Sequence, residues 1–206
     1  MKSLFYPILY ATTISAVFPV AAGIFNFRQT RFDTRLILAL LTLVLMIDCY
    51  GLFFASRQMG ANWIHHFYSP LEYAVFAAVI STWQAEKMAR KFILLSIVFF
   101  SLLSIWDIFV SADLKHTNDF TASVACAFFV GMTSYTLIGI DRQQAGRLFS
   151  DYRFWIMVGL LIYSAGNLAY FAFFRNFISY YLWAGHNLLN ILANICYAIG
   201  FLCLGR

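Results

Sequence analysis

Long apolar runs broken by short polar connections divide this chain of 206 residues. The runs cover residues 4–25, 36–55, 64 or 70 to 83, 92–112, 120–140, 154–174 and 178–204. An α-helix needs about twenty apolar residues to cross the hydrocarbon core of a bilayer. The third run meets that length only if it starts at Ile64. The pattern predicts an all-α, polytopic membrane protein, a seven-transmembrane-helix bundle forming a single domain over residues 1–206. The first run resembles a secretory signal, with Lys2 ahead of it and small residues around Ala21 and Gly23. It is longer than a usual signal core, so it reads as helix one.

Composition agrees with the pattern. The chain is 62% apolar and 11% charged, with a mean hydropathy of +0.76. A soluble domain carries about a quarter charged residues. Seven spans would use about two thirds of the chain, leaving only short connections and no room for a soluble catalytic or signalling domain. Function must then sit among the helices or pass to a partner.

The net charge of +5 is concentrated in alternate connections. Arg28, Arg31 and Arg35, then Lys87, Arg90 and Lys91, then Arg142, Arg147 and Arg153 fall in the first, third and fifth loops, with Arg206 on the same side. Lys2, Arg57, Lys115 and Arg175 fall on the other, a split of ten to four. Basic residues gather on the cytoplasmic side. The expected location is therefore the cell (inner) membrane, multi-pass, with the N-terminus outside and the C-terminus cytoplasmic. This source of positive charge calls for the lipid bilayer as partner and for no nucleic acid. Cys49, Cys126, Cys196 and Cys203 lie within apolar runs without CxxC spacing, which suits packing.

Ionisable groups inside a bilayer are costly, so their positions carry information. Asp48, Glu72, Asp107 and His186 lie inside the runs, joined by Asn167, Asn190 and Asn194. With the orientation above, the ionisable ones all fall in the outer half. His186, Asn190, Asn194 and Tyr197 are spaced four, four and three residues apart, on one helical face. Tyr163, Asn167 and Tyr170 share a face of helix six, and Ser101, Ser104, Asp107 and Ser111 share one of helix four. Such faces should turn inward, either to bond helix to helix or to line a pocket. Ser69-Pro70-Leu71-Glu72 has the form of a capping box, so Glu72 could close the start of helix three, line the pocket, or do both. If the helix starts there, Trp63, His65, His66 and Tyr68 form an outer lid. The candidate ligand-binding residues are Asp48, His66, Glu72, Asp107, Tyr163, Asn167, Trp183, His186 and Asn190.

A spacing of 118–120 residues recurs. Arg35 precedes Asp48 by thirteen residues and Arg153 precedes Asn167 by fourteen; Trp63-x-x-His66 answers Trp183-x-x-His186. This suggests a 3+1+3 parallel repeat, residues 1–84 and 120–206, with helix 92–112 as connector. Parallel repeats occur in transporters, with the site between the halves.

Several chemistries can be weighed directly. A retinal protein needs a lysine in its last helix, and none follows Lys115. There is no Pro-Gln dipeptide of the kind found in PQ-type sugar carriers. Zinc is an open cofactor reading, with His66, Glu72 and His186 as candidate metal ligands. Seven-helix zinc hydrolases carry His-x-x-x-His in the last helix, however, where this chain has His186-x-x-x-Asn190. No catalytic residues stand out, and an enzyme is the less favoured class.

Phe154-Trp155, the run Tyr163-Ser164-Ala165-Gly166-Asn167, Trp183-x-x-His186-x-x-x-Asn190 and Tyr197-Ala198-Ile199-Gly200 resemble a group of small bacterial seven-helix integral membrane proteins of unknown function. His66-x-x-x-Pro70-x-Glu72 extends the likeness to helix three. The resemblance implies fold and location, and no activity. The favoured expectation is ligand sensing through an outward-facing polar and aromatic pocket, with a separate cytoplasmic signalling partner. The alternatives are a small-solute or proton-coupled transporter and a zinc-dependent intramembrane hydrolase.

Overall fold

The computed structural model describes residues 5–57, 63–111, 119–143, 148–174 and 180–204. Of the charges used for orientation, Lys2, Lys115, Arg147, Arg175 and Arg206 lie outside them. The described residues form seven α-helices: α1 (Phe5–Phe25), α2 (Phe32–Ser56), α3 (Trp63–Thr82), α4 (Lys87–Ser111), α5 (Asp119–Gln143), α6 (Tyr152–Phe174) and α7 (Tyr180–Cys203). Short 3-10 turns at Phe27–Gln29 and Leu148–Ser150 lead into α2 and α6. Each expected apolar run is a helix, and the helices extend into polar sequence where charge marks a run's edge. Thus α4 begins at Lys87 rather than at residue 92, and α2 begins at Phe32 rather than at residue 36.

Six of the helices are long and apolar enough to cross a membrane, which makes this an all-α bundle of the integral membrane type. The exception is α3, which carries His65, His66, Ser69, Glu72, Ser81 and Thr82. Its neighbours account for that tolerance. It packs against α2, α4 and α5, with Tyr73, Ala77 and Ile80 fully buried, so much of it faces protein. The helix also runs unbroken through Pro70. Glu72 therefore stands well inside α3 rather than in its first turn, and the capping-box reading of Ser69 to Glu72 does not describe it. Proline has no N–H, so the His66 carbonyl loses its usual helical donor at that point.

Side-chain bonds between helix ends fix the directions. Asn26, just past α1, donates to the Phe201 carbonyl near the end of α7 at 3.3 Å. Asp33 at the start of α2 accepts from the Trp83 indole after α3 at 2.7 Å and from the Tyr152 hydroxyl at the start of α6 at 3.2 Å. Gln84 reaches Thr136, late in α5, at 2.8 Å. The ends of α1, α3, α5 and α7 thus share one face of the bundle with the starts of α2 and α6.

Packing runs α1–α2–α3–α5–α6–α7 and back to α1, a closed ring, while α4 lies outside against α3 and α5. The outward surface of α4 is apolar, with Leu102 62% and Phe109 79% exposed, as a lipid-facing helix requires. The seam between α6 and α7 is closely packed at its glycines. A Cβ at Gly159 would stand 2.8 Å from the Tyr197 ring and 3.0 Å from the Ala193 carbonyl oxygen, and one at Gly166 would stand 2.6 Å from Leu189. Small residues of this kind let helices approach where no hydrophobic force drives them together. The four cysteines carry no disulfide, and Cys126 and Cys196 are buried in the packing.

Candidate binding cavity

A cavity of about 510 Å³ lies inside the ring, at the end where α2 and α6 finish and α3 and α7 begin. Its size falls within the usual range for small-molecule sites. Residues from α1, α2, α3, α5, α6 and α7 line it, and none from α4 does. From Trp183 to Tyr197 the lining follows α7 across fourteen residue steps, about 21 Å of helix at 1.5 Å per residue.

Helical periodicity explains which side chains reach it. On α3 the lining residues His65, Tyr68, Ser69, Glu72 and Phe76 recur at three- and four-residue spacings on one face. His66, Tyr73 and Ala77 fall on the neighbouring stripe and are buried in the packing instead. On α7 the stripe His186, Asn190, Asn194 and Tyr197 faces the cavity throughout. On α6 Tyr163, Asn167 and Tyr170 do the same.

Seven of the nine candidate residues come together here: Asp48, Glu72, Tyr163, Asn167, Trp183, His186 and Asn190. His66 does not line the cavity, and His65 does. Asp107 is elsewhere: it accepts a 2.5 Å bond from Thr121 and belongs to the seam between α4 and α5. Among the described residues no three His, Cys, Asp or Glu side chains form a group able to hold a metal ion.

The sequence reading missed Thr12 and Asn187, which tie α1 to α7 beside the cavity. Thr12 donates to Asn187 at 3.0 Å, and further along both helices Asn194 donates to Ser15 at 2.9 Å. A signal was present, since Thr12, Thr13 and Ser15 interrupt an otherwise apolar run.

The cavity's remaining polar groups are only partly bonded. Asn190 Nδ2 lies 3.2 Å from His186 Nε2, while His186 Nδ1 and Asn190 Oδ1 are buried without a partner. Rotating the Asn190 amide exchanges the roles, but either way the pair offers one spare donor and one spare acceptor. Glu72 receives a bond from the Tyr163 hydroxyl at 3.5 Å, the outer limit for such a contact. The His186 ring stacks on Tyr170, with centroids 4.7 Å apart, which holds the imidazole in place. Most buried polar atoms in proteins are paired, so this concentration of spare capacity around one space calls for a physical reason.

Comparison with family models, with curated proteins and with solved structures finds no match for this chain.

Proposed function

We propose that this chain is a multi-pass membrane protein that senses a small molecule through the cavity and passes the signal to a cytoplasmic partner. One observation carries the reading: a cavity with unpaired polar groups at one end of the bundle and cross-helix bonds closing the other. Asp33, Trp83 and Tyr152 join α2, α6 and the exit of α3, and Gln84 and Asn26 add bonds to α5 and α7. A cup closed at its base suits binding and release on one side. Transport would require those bonds to open in every cycle.

In this reading α3 is the seventh span, the basic connections face the cytoplasm and the cavity faces outward. We also propose that the two halves are a repeat. Exchanging α1, α2 and α3 with α5, α6 and α7 turns each ring contact into another ring contact, α1–α7 becoming α3–α5. The 3-10 turns before α2 and α6 correspond under the same exchange. Membership of the small bacterial seven-helix group belongs to this reading as well.

Accessibility tests it. Asn190→Cys, in a chain whose four native cysteines are replaced by alanine, should react with a membrane-impermeant thiol reagent added outside intact cells. It should stay unreactive from the cytoplasmic side of inverted vesicles. Labelling from the cytoplasmic side would overturn the sensor reading and favour transport by alternating access.

A further inference from the structure

We propose that the cavity takes a small organic cation, an amine or a quaternary ammonium group carried on an apolar body. This rests on the reading of the cavity as a ligand site, and it names the ligand class.

Charge gives the first argument. Asp48 on α2 and Glu72 on α3 both line the cavity, and no lysine or arginine is among the described residues that do. An anionic ligand would meet two carboxylates and no fixed positive charge, which is costly where water is scarce. A cation would meet the reverse. Neither carboxylate is already spent on a basic side chain: among the described residues the one ion pair is Arg153–Asp151, at the opposite end of the bundle.

The walls give the second argument. Tyr163, Tyr170, Trp183 and Tyr197 put aromatic rings around the same space. Ring faces attract cations, most strongly when the cation has shed its water, and such cages suit alkylammonium groups. Leu41, Val44 and Ile47 supply apolar surface for the rest of the ligand. A bare metal ion needs several oxygen or nitrogen ligands at close range and would leave most of the 510 Å³ unfilled. The unpaired atoms of His186 and Asn190 give a polar substituent its partners.

Three probes of one shape and different charge test this: choline, 3,3-dimethylbutan-1-ol and 3,3-dimethylbutanoate, which are positive, neutral and negative. Each is titrated against the full chain in lipid nanodiscs, read by tryptophan fluorescence and by the shift in melting temperature. The expected result is that the cation binds at least about tenfold more tightly than the neutral isostere, and the anion least. Glu72→Gln and Asp48→Asn should each remove most of that preference, lowering the cation's affinity far more than the neutral probe's. Their elution profile and melting temperature confirm that they fold. Equal or tighter binding of the neutral or anionic probe would overturn the cation inference and leave the cavity a ligand site. No binding of any probe at millimolar concentration would overturn both.

Discussion

The two ends of the bundle handle polar groups in opposite ways. At the end where α2 and α6 begin, polar side chains are bonded to neighbours. Asp33 accepts from its neighbour's backbone, an indole and a phenol; Asp151 takes Arg153 in a two-pronged ion pair and caps α6 through the Arg153 backbone N–H. Charge-assisted bonds of this kind are among the stronger ones in proteins. At the cavity end His186 and Asn190 keep buried atoms unpaired, and the bond from Tyr163 to Glu72 is long. The chain can therefore satisfy its polar atoms. That it does so at one end and not at the other sets the cavity end apart, and under the proposed reading that is the end kept for a ligand.

Substitutions can break or sharpen that contrast. The largest effect is expected for Gly159→Leu, which lies between the ends. Its side chain must displace Tyr197 and press on the Ala193 carbonyl, forcing α6 from α7. A loss of about 3 kcal/mol or more is expected in thermal denaturation in detergent. Next comes Asp33→Ala, which removes the acceptor from Trp83 and Tyr152 together. It should cost about 2 kcal/mol and shift the tryptophan emission, while probe binding at the cavity stays unchanged. A loss of binding equal to the loss of stability would mean that the two ends are not separate.

Ser164→Ala should act in the other direction. Its hydroxyl is fully buried and unpaired, so removing it should raise stability by about 1 kcal/mol. Asn190→Leu should be the mildest of all in stability, within about 0.5 kcal/mol of the parent, because it removes an unpaired oxygen along with one bond to His186. Its mark should be on binding instead. A residue whose loss leaves stability intact and abolishes probe binding is held for function. Strong destabilisation by Asn190→Leu would make the cavity end structural after all.

Much of the architecture is legible in the sequence because lipid permits few solutions. Spanning segments must be apolar and helical, so the runs mark the helices directly. The third was the obscure one for the same reason: α3 is shielded by other helices and is free to be polar. The cavity was legible in part. Stride arguments placed His186, Asn190 and Tyr197 on one face, and Asn167 with Tyr163. They could equally have chosen His65 over His66, since His65 shares its stripe with Ser69 and Glu72. Depth alone misplaced Asp107, because two residues at one level can belong to different seams. The bonds from Thr12 and Ser15 to α7 were out of reach, since they join residues 175 and 179 positions apart.

The position of α4 outside the ring has a consequence for how the cavity can be assembled at all. Each helix reverses the chain, and α1 to α3 make three reversals, an odd number. Joined directly to α3, the last three helices would enter the bundle upside down, and the stripe of His186 and Asn190 would open at the wrong end. One further pass restores the parity. A helix that lends the cavity no side chain thereby determines that the two sets of three point the same way, and its outward face needs only to be compatible with lipid.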